Sequence, residues 1–263
     1  MTSLAPRPSQ TIETDVSRAL AVEHLSFCYP TGKQVLDDIF LEIRANERVG
    51  LVGPNGSGKT TLFLLLCGVL AGEGLISVFG RQVIPGEFRP EVGLVFQNPD
   101  DQLFCPTVRD DVAFGPQNLQ LATEEIDRRV RDALALAGVS ALTERVPHQL
   151  SGGEKCMVAI AAVLAMQPQL VLYDEPSANL DLRARRRLIE FLQSARQSML
   201  ISSHDLEMVL EVCDRVVLLD GGRIVADGAP AVVLGNRALM EAHGLEKPHS
   251  LSPHHRDATG EQA

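Results

Sequence analysis

Short apolar runs bounded by turn residues alternate along this chain with stretches whose apolar positions recur every three or four residues. The first pattern predicts buried strands and the second predicts helices. Ala19–Phe27 and Ile39–Ile43 read as strands joined through the turn Pro30-Thr31-Gly32-Lys33, and Glu47–Val52 as a buried strand. Leu62–Leu66 reads as the apolar body of a helix, and Leu75–Phe79 with Gly80-Arg81-Gln82 as a small hairpin. Pro85–Pro90 is a breaker, and Val92–Phe96 is a further buried strand ending at Gln97. From Thr107 to Met166 the period turns helical. Thr107 and Asp110 form a capping pair. Ile126, Val130, Leu134 and Ala137 share a helix face that stops at Gly138, and Ser151 is a natural N-cap for a helix through Val158–Met166. Leu170–Tyr173 and Met199–Ser202 are buried strands, and Asp181 caps a helix reaching about Ala195. Arg215–Leu219 and Arg223–Ala226 flank Asp220-Gly221-Gly222, a tight hairpin signal.

This order of elements predicts an α/β fold with a helical subdomain inserted into a sheet domain. Residues 1–17 mix Pro, Ser and Thr with little period and read as a flexible leader. The expected divisions are 18–86 with 167–235 as the α/β core and its β subdomain, 87–166 as the inserted helical part, and 236–263 as a C-terminal helix and tail. From Leu245 the tail reads as disordered, with metal capture by His249, His254 and His255 as a second reading.

Composition narrows the classes. At 263 residues, 45% of them hydrophobic, the chain can bury a sizeable core. A net charge of −10 argues against a protein that coats nucleic acid. The five cysteines are scattered with no C-x-x-C, which suits free thiols in a reducing compartment. No secretory leader pattern occurs, and the longest apolar run, Leu62–Cys67, is far short of a membrane span.

The densest chemistry lies at residues 53–61, Gly-Pro-Asn-Gly-Ser-Gly-Lys-Thr-Thr, between a predicted strand and a predicted helix. The spacing fits G-x-x-x-x-G-K-[ST]. Gly53, Gly56 and Gly58 let the backbone approach phosphate oxygens, with Asn55, Ser57 and Thr61 in the same loop, and the N–H groups form an anion nest at a helix N-terminus. Lys59 would reach the β- and γ-phosphates, and the Thr60 hydroxyl would ligate Mg²⁺. Asp174 and Glu175 end a buried strand, where two adjacent carboxylates are either a solvated turn or a pair suited to Mg²⁺ and to polarising water. His204 follows another strand just before a helix. Ser151, Gly152, Gly153 and Glu154 read either as a good helix start or as a second phosphate-binding end. Tyr29 alone is an ordinary strand-end aromatic, and Arg183, Arg185, Arg186 and Arg187 are a solvated helix face.

Taken in order, these pieces resemble the ATP-binding-cassette ATPases over roughly Ala19 to Val233. The matched series is the phosphate loop, Gln97, the signature Leu150–Glu154, the carboxylate motif Leu170–Glu175, the loop Ser177–Asp181 and His204. Val95–Phe104, Asp111–Pro116 and Val163–Met166 further resemble the cobalt/nickel branch of energy-coupling-factor transporters, and vitamin-importing members share the first two stretches.

The resemblance implies a P-loop NTPase (RecA-like) core with an antiparallel β subdomain and an α-helical subdomain. It implies ATP and Mg²⁺ as cofactors, with Tyr29 on adenine, Lys59 and the loop amides on the β/γ-phosphates, and Thr60, Gln97 and Asp174 at the metal. Glu175 would orient water, His204 would contact the γ-phosphate, and Asp181 would lie in the loop between subunits. The signature would act across a homodimer of ATPase subunits. Integral membrane subunits would be contacted through residues 97–116, placing the chain peripherally on the cytoplasmic face of the membrane with no nucleic-acid partner. A soluble ABC-type ATPase of DNA repair or translation is the alternative class, against which the single uninterrupted cassette and the absence of heptads argue. The sequence departs from the family at Cys156 and Met157, where Gln and Arg are common, and at Asn179, where Gly is usual. The first departure puts charge pairing at that helix end in question.

Overall fold

A computed structural model describes residues 17–251. Residues 1–16 of the leader and the tail positions His254 and His255 lie outside the described residues. Two sheets carry the fold. The first four-stranded sheet is antiparallel, in the order β2-β1-β4-β5, from β1 (Arg18–Cys28), β2 (Gln34–Arg44), β4 (Glu73–Val78) and β5 (Arg81–Gln82). The second has six strands in the order β10-β9-β3-β8-β7-β6. Its strands are β3 (Arg48–Val52), β6 (Val92–Val95), β7 (Leu170–Asp174), β8 (Ser198–Ser202), β9 (Arg215–Asp220) and β10 (Arg223–Gly228). All are parallel except β10, which turns back on β9 through the Gly221-Gly222 hairpin. β7 and β8 are buried at every position, as parallel strands covered on both faces must be.

The helix α1 (Lys59–Leu66) packs Leu62, Phe63, Leu65 and Leu66 into one core with residues of both sheets, including Leu20, Leu36 and Leu172. It is apolar around most of its surface because all its residues are buried except Thr60, which is exposed, and Leu64, which is partly so. A second core gathers the opposite face of the parallel sheet with α4 (Gly152–Leu164), α5 (Leu182–Ser194) and α6 (Leu206–Val212). Also against it lie α2 (Val108–Asn118) and α3 (Thr123–Leu136), which pack on each other and on α4. The predicted caps form. Thr107 accepts from Asp110 N, Ser151 makes a reciprocal capping box with Glu154, and Asp181 accepts from Ala184 N.

Three expectations are corrected. Arg185 and Arg186 are not merely solvated. Arg185 donates to both oxygens of Asp205, and Arg186 to Glu211, so the basic face of α5 is tied to α6. Ordered structure also runs past Leu245. After α7 (Pro230–Val233) and α8 (Arg237–Ala242), Leu245 and Leu251 pack against the second core, and Ser250 donates its hydroxyl and amide to Glu207. The apolar side chains at 245 and 251 have a core to join, which outweighs the disorder-promoting Pro and Ser around them. Finally, Cys156 and Met157 face the core at 3% and 2% exposure, so an apolar choice there fits the environment. Charge pairing at that end of α4 comes instead from Lys155, which meets Asp100 at 2.7 Å.

Candidate active site

Four parallel strands end at one edge of the six-stranded sheet, and each delivers one piece of the site. β3 runs into residues 53–61, β6 into Gln97, β7 ends on Asp174 with Glu175 next, and β8 is followed by Ser203 and His204. The C-terminal edge of a parallel sheet is where such folds bind ligands, because the loops there diverge and the helix N-termini face it.

The loop has the geometry its glycines predict. Gly56 (φ +79°) and Gly58 (φ +107°) take the left-handed backbone, and a Cβ at Gly56 would meet nothing within 4 Å, so that face of the loop is open. A Cβ at Gly53 would stand 2.0 Å from the Leu219 carbonyl oxygen, which explains glycine there by close packing. A cleft of about 250 Å³ lies against the loop. Asn55, Gly56, Ser57, Gly58, Lys59, Thr60 and Thr61 line it together with Tyr29, Gln97, Asp174, Glu175 and His204. Gly53 stands behind this wall, not in it. Lys33 and Val35 also line the cleft and were not singled out from sequence. Tyr29 N donates to Lys33 O, so the turn sets the two residues side by side, but nothing in the turn's own sequence reports what it lies against.

Several of the polar groups in the cleft are paired with one another. The Lys59 ammonium donates to Gly53 O at 2.8 Å and Pro54 O at 3.2 Å, and lies 3.9 Å from Glu175 Oε1. Burial pushes its pKa down against the pull of Glu175 and Asp174. Thr60 Oγ1 donates to Asp174 Oδ2 at 2.7 Å. Glu175 takes a left-handed backbone (φ +47°), its Oε2 accepts the His204 N–H at 2.9 Å, and its Oε1 lies 3.3 Å from His204 Nε2. Tyr29 is anchored by a hydroxyl contact to Thr61 at 3.2 Å and an edge-on contact with Phe27.

Two observations bear on what the cleft can hold. Ser57 Oγ is buried without a hydrogen-bond partner at the loop, and Glu175 Oε1 likewise makes no hydrogen bond. Buried polar groups normally find partners. The donor set beside the loop, a hydroxyl and carboxylates, is all oxygen, which suits a hard cation such as Mg²⁺. An anion-binding loop next to a hard-cation site fits a metal-bound triphosphate.

Ser151, Gly152, Gly153 and Glu154 are not in this cleft. They open α4 beside a second cavity of about 340 Å³, lined among others by Gly152, Cys156, Pro176 and Asn179. Gln97 lines both cavities. Cys156 donates its thiol to Pro176 O, and burial pushes its pKa up to about 12, so it is chemically quiet. Asp181 lies beyond that cavity at the start of α5. No helix among the described residues is long and apolar enough to cross a membrane, and no cluster of metal-binding side chains was found among them.

Comparison with known proteins identifies the family. The family model described as ABC transporter matches residues 36–178. A putative ABC transporter ATP-binding protein of Synechocystis is 52% identical over 92% of this chain and 86% of its own length. The cobalt import ATP-binding protein CbiO of Rhodobacter capsulatus is 42% identical over 87% of this chain and 85% of its own. The solved structure of cbiO1 from Clostridium perfringens, described as part of the ABC transporter complex cbiONQ, superposes with a TM-score of 0.77 at 33% identity. It covers 86% of this chain and 94% of that one. The chain therefore belongs to the ABC transporter family, as one of its ATPases.

Proposed function

We propose that the chain is the ATP-hydrolysing motor of an energy-coupling-factor importer for cobalt or nickel ions, working as a homodimer beneath integral membrane subunits. The observation that carries the reading is the division of labour between the two cavities. One holds the phosphate loop, both carboxylates and His204, while the capped N-terminus of α4 stands apart from it. Within one copy that helix end is answered only by its own Glu154 and not by the phosphate loop, and a second copy facing it would bring its nucleotide phosphates there.

In this reading Tyr29 stacks on adenine, and the backbone N–H groups of residues 55–61 with Lys59 hold the phosphates. Thr60, Gln97 and Asp174 would hold Mg²⁺, whose charge would offset that of the phosphates. Glu175 orients the attacking water and His204 contacts the γ-phosphate. Ser151, Gly152, Gly153 and Glu154 complete the partner's site, and Asp181 lies in the loop between subunits. Catalysis is then positioning and electrostatic stabilisation.

Residues 97–116 join a nucleotide-side residue to α2 and carry Phe104 and Phe114, an exposed edge-to-face pair at 5.0 Å. They are the proposed contact with the membrane subunits, which places the chain peripherally on the cytoplasmic face. The cobalt or nickel assignment rests on the resemblance of Val95–Phe104, Asp111–Pro116 and Val163–Met166 to that branch, and on the similarity to the cobalt import ATP-binding protein of Rhodobacter.

The test is affinity capture of this chain from detergent-solubilised native membranes, with mass spectrometry of its companions. Integral membrane subunits without a second ATPase, followed by ATP-dependent cobalt or nickel uptake, are the expected result. A second ATPase sharing the membrane subunit would replace the metal reading with a vitamin importer, and ribosomal or repair partners would remove transport altogether.

A further inference from the structure

Ser202 closes β8 with no exposed surface, and its hydroxyl stands between the two carboxylates of the site. The hydroxyl donates to Asp174 Oδ1 at 2.6 Å and accepts the Glu175 backbone N–H at 3.0 Å. Its direction is fixed by its neighbours. An ionised carboxylate only accepts and an amide N–H only donates, so the hydroxyl proton points at Asp174 and a lone pair at Glu175.

The strand register makes this possible, since Ser202 pairs with Asp174 across the β7–β8 ladder. Glu175 lies one residue on, where the chain takes its left-handed backbone. That conformation costs energy for a residue with a Cβ and persists only where its surroundings fix it. Here the Glu175 N–H is held by both the carbonyl and the hydroxyl of Ser202, at 3.1 and 3.0 Å.

The two oxygens of Asp174 are held from opposite walls. Thr60 of α1 donates to Oδ2 and Ser202 of β8 to Oδ1. Thr60 is also the hydroxyl assigned to the cation. Once it turns to the cation, Ser202 is the donor left to fix the carboxylate. Asp174 is itself only 3% exposed, so water is poorly placed to substitute.

We propose that Ser202 is a positioning residue for the ATPase, whose one hydroxyl sets the orientation of Asp174 for the metal and the backbone of Glu175 for the water. The proposal rests on the reading that Asp174 serves the metal. Because the Glu175 N–H keeps the Ser202 carbonyl when the hydroxyl is lost, the larger effect falls on Asp174.

The test is Mn²⁺ binding, followed by electron paramagnetic resonance, to the purified full chain in the presence of a non-hydrolysable ATP analogue. It is run beside binding of the same analogue in EDTA. Ser202→Ala is expected to weaken Mn²⁺ about tenfold, the scale of a hydrogen bond to a charged group, while metal-free nucleotide binding stays within about twofold. Ser202→Thr, which restores a hydroxyl, is expected to recover most of the Mn²⁺ affinity. Wild-type Mn²⁺ affinity in Ser202→Ala would overturn the proposal. So would equal loss of metal-free nucleotide binding, which marks a merely structural role, and so would failure of Ser202→Thr to recover. Absence of nucleotide-dependent Mn²⁺ binding in the unsubstituted protein would instead overturn the metal reading on which the proposal rests.

Discussion

Glu175 Oε1 lies 3.3 Å from His204 Nε2, and the other carboxylate oxygen of Glu175 accepts the His204 backbone N–H. Side chain and main chain of one residue are thus both engaged by the other. The pair spans the ends of β7 and β8, so the separation between those strands sets its geometry. With Lys59 Nζ 3.9 Å away, Glu175 faces a cation on one side and an imidazole on the other.

Glu175→Gln keeps the shape of this pair and removes the charge that would polarise water. Turnover is expected to fall about 10²-fold or more, the scale of a lost general base, while ATP binding persists and a closed dimer accumulates. Steady-state ATPase rates with size-exclusion chromatography in ATP check both halves. Near-normal hydrolysis would remove Glu175 from this role.

Lys59→Ala takes away an ammonium that is 7% exposed and already turned inward on the loop carbonyls of Gly53 and Pro54. Nucleotide affinity is expected to fall at least about tenfold, the scale of a lost charge-assisted hydrogen bond. Titration calorimetry with ATP reads it, and unchanged affinity would count against the phosphate-loop assignment.

Gly53→Ala separates packing from ligand contact. The added Cβ would sit 2.0 Å from Leu219 O, a backbone atom of β9 that cannot swing aside. Overpacking typically costs about 1–3 kcal/mol, and collision with fixed backbone belongs at the upper end. Thermal unfolding without nucleotide should already show the loss. A variant as stable as wild type, but weak in ATP binding, would mean that Gly53 serves the ligand and not the strand.

How much of this was legible from sequence depended on range. The phosphate loop, the caps at Thr107, Ser151 and Asp181, and the carboxylates at a strand end rest on residues a few positions apart, so spacing alone exposes them. Lys33 and Val35 enter the cleft because a hairpin folds back over α1, and no short pattern reports that. Ser202 reads as one more strand-end serine until β8 is set beside β7, because its function lies in a register between residues 28 positions apart. Arg185 likewise gains meaning only when α6 brings Asp205 to it. The tail misled for the opposite reason. Local Pro and Ser content outweighed two leucines whose partners lie far away in sequence.

Deleting residues 245–263 tests that tail. The deletion removes the packing of Leu245 and Leu251 and the hydrogen bonds of Ser250 to Glu207. Loss of about 2–4 kcal/mol is expected, on the scale of truncating buried leucines that are only partly enclosed. Deleting 252–263 keeps those contacts and should cost less. Urea unfolding of the two truncations compares them directly, and equal stabilities would mean that the contacts contribute little.

The ion pair between Arg185 and Asp205 should impose a pH dependence. Burial raises the Asp205 pKa, but hydrogen bonds from Arg185 and Met208 N–H together with the Arg185 charge outweigh it, so the carboxyl is held below its ordinary range. A carboxyl depressed in the folded state contributes stability above its unfolded pKa, and that contribution fades as pH falls through the folded value. Asp205→Asn retains an acceptor for the cap at Met208 N and loses the charge. The variant should be less stable than wild type by about 1 kcal/mol from neutral pH down to about pH 5, an ion pair being partly screened at this depth. Below about pH 4, the unfolded Asp value, the gap should begin to close, and the two stabilities should converge once pH has fallen through the lower folded value. Urea melts of both proteins across that range decide it. A gap that stays constant into the acid limb would mean that the substitution acts through packing, and that the charge on Asp205 contributes nothing to holding α5 against α6.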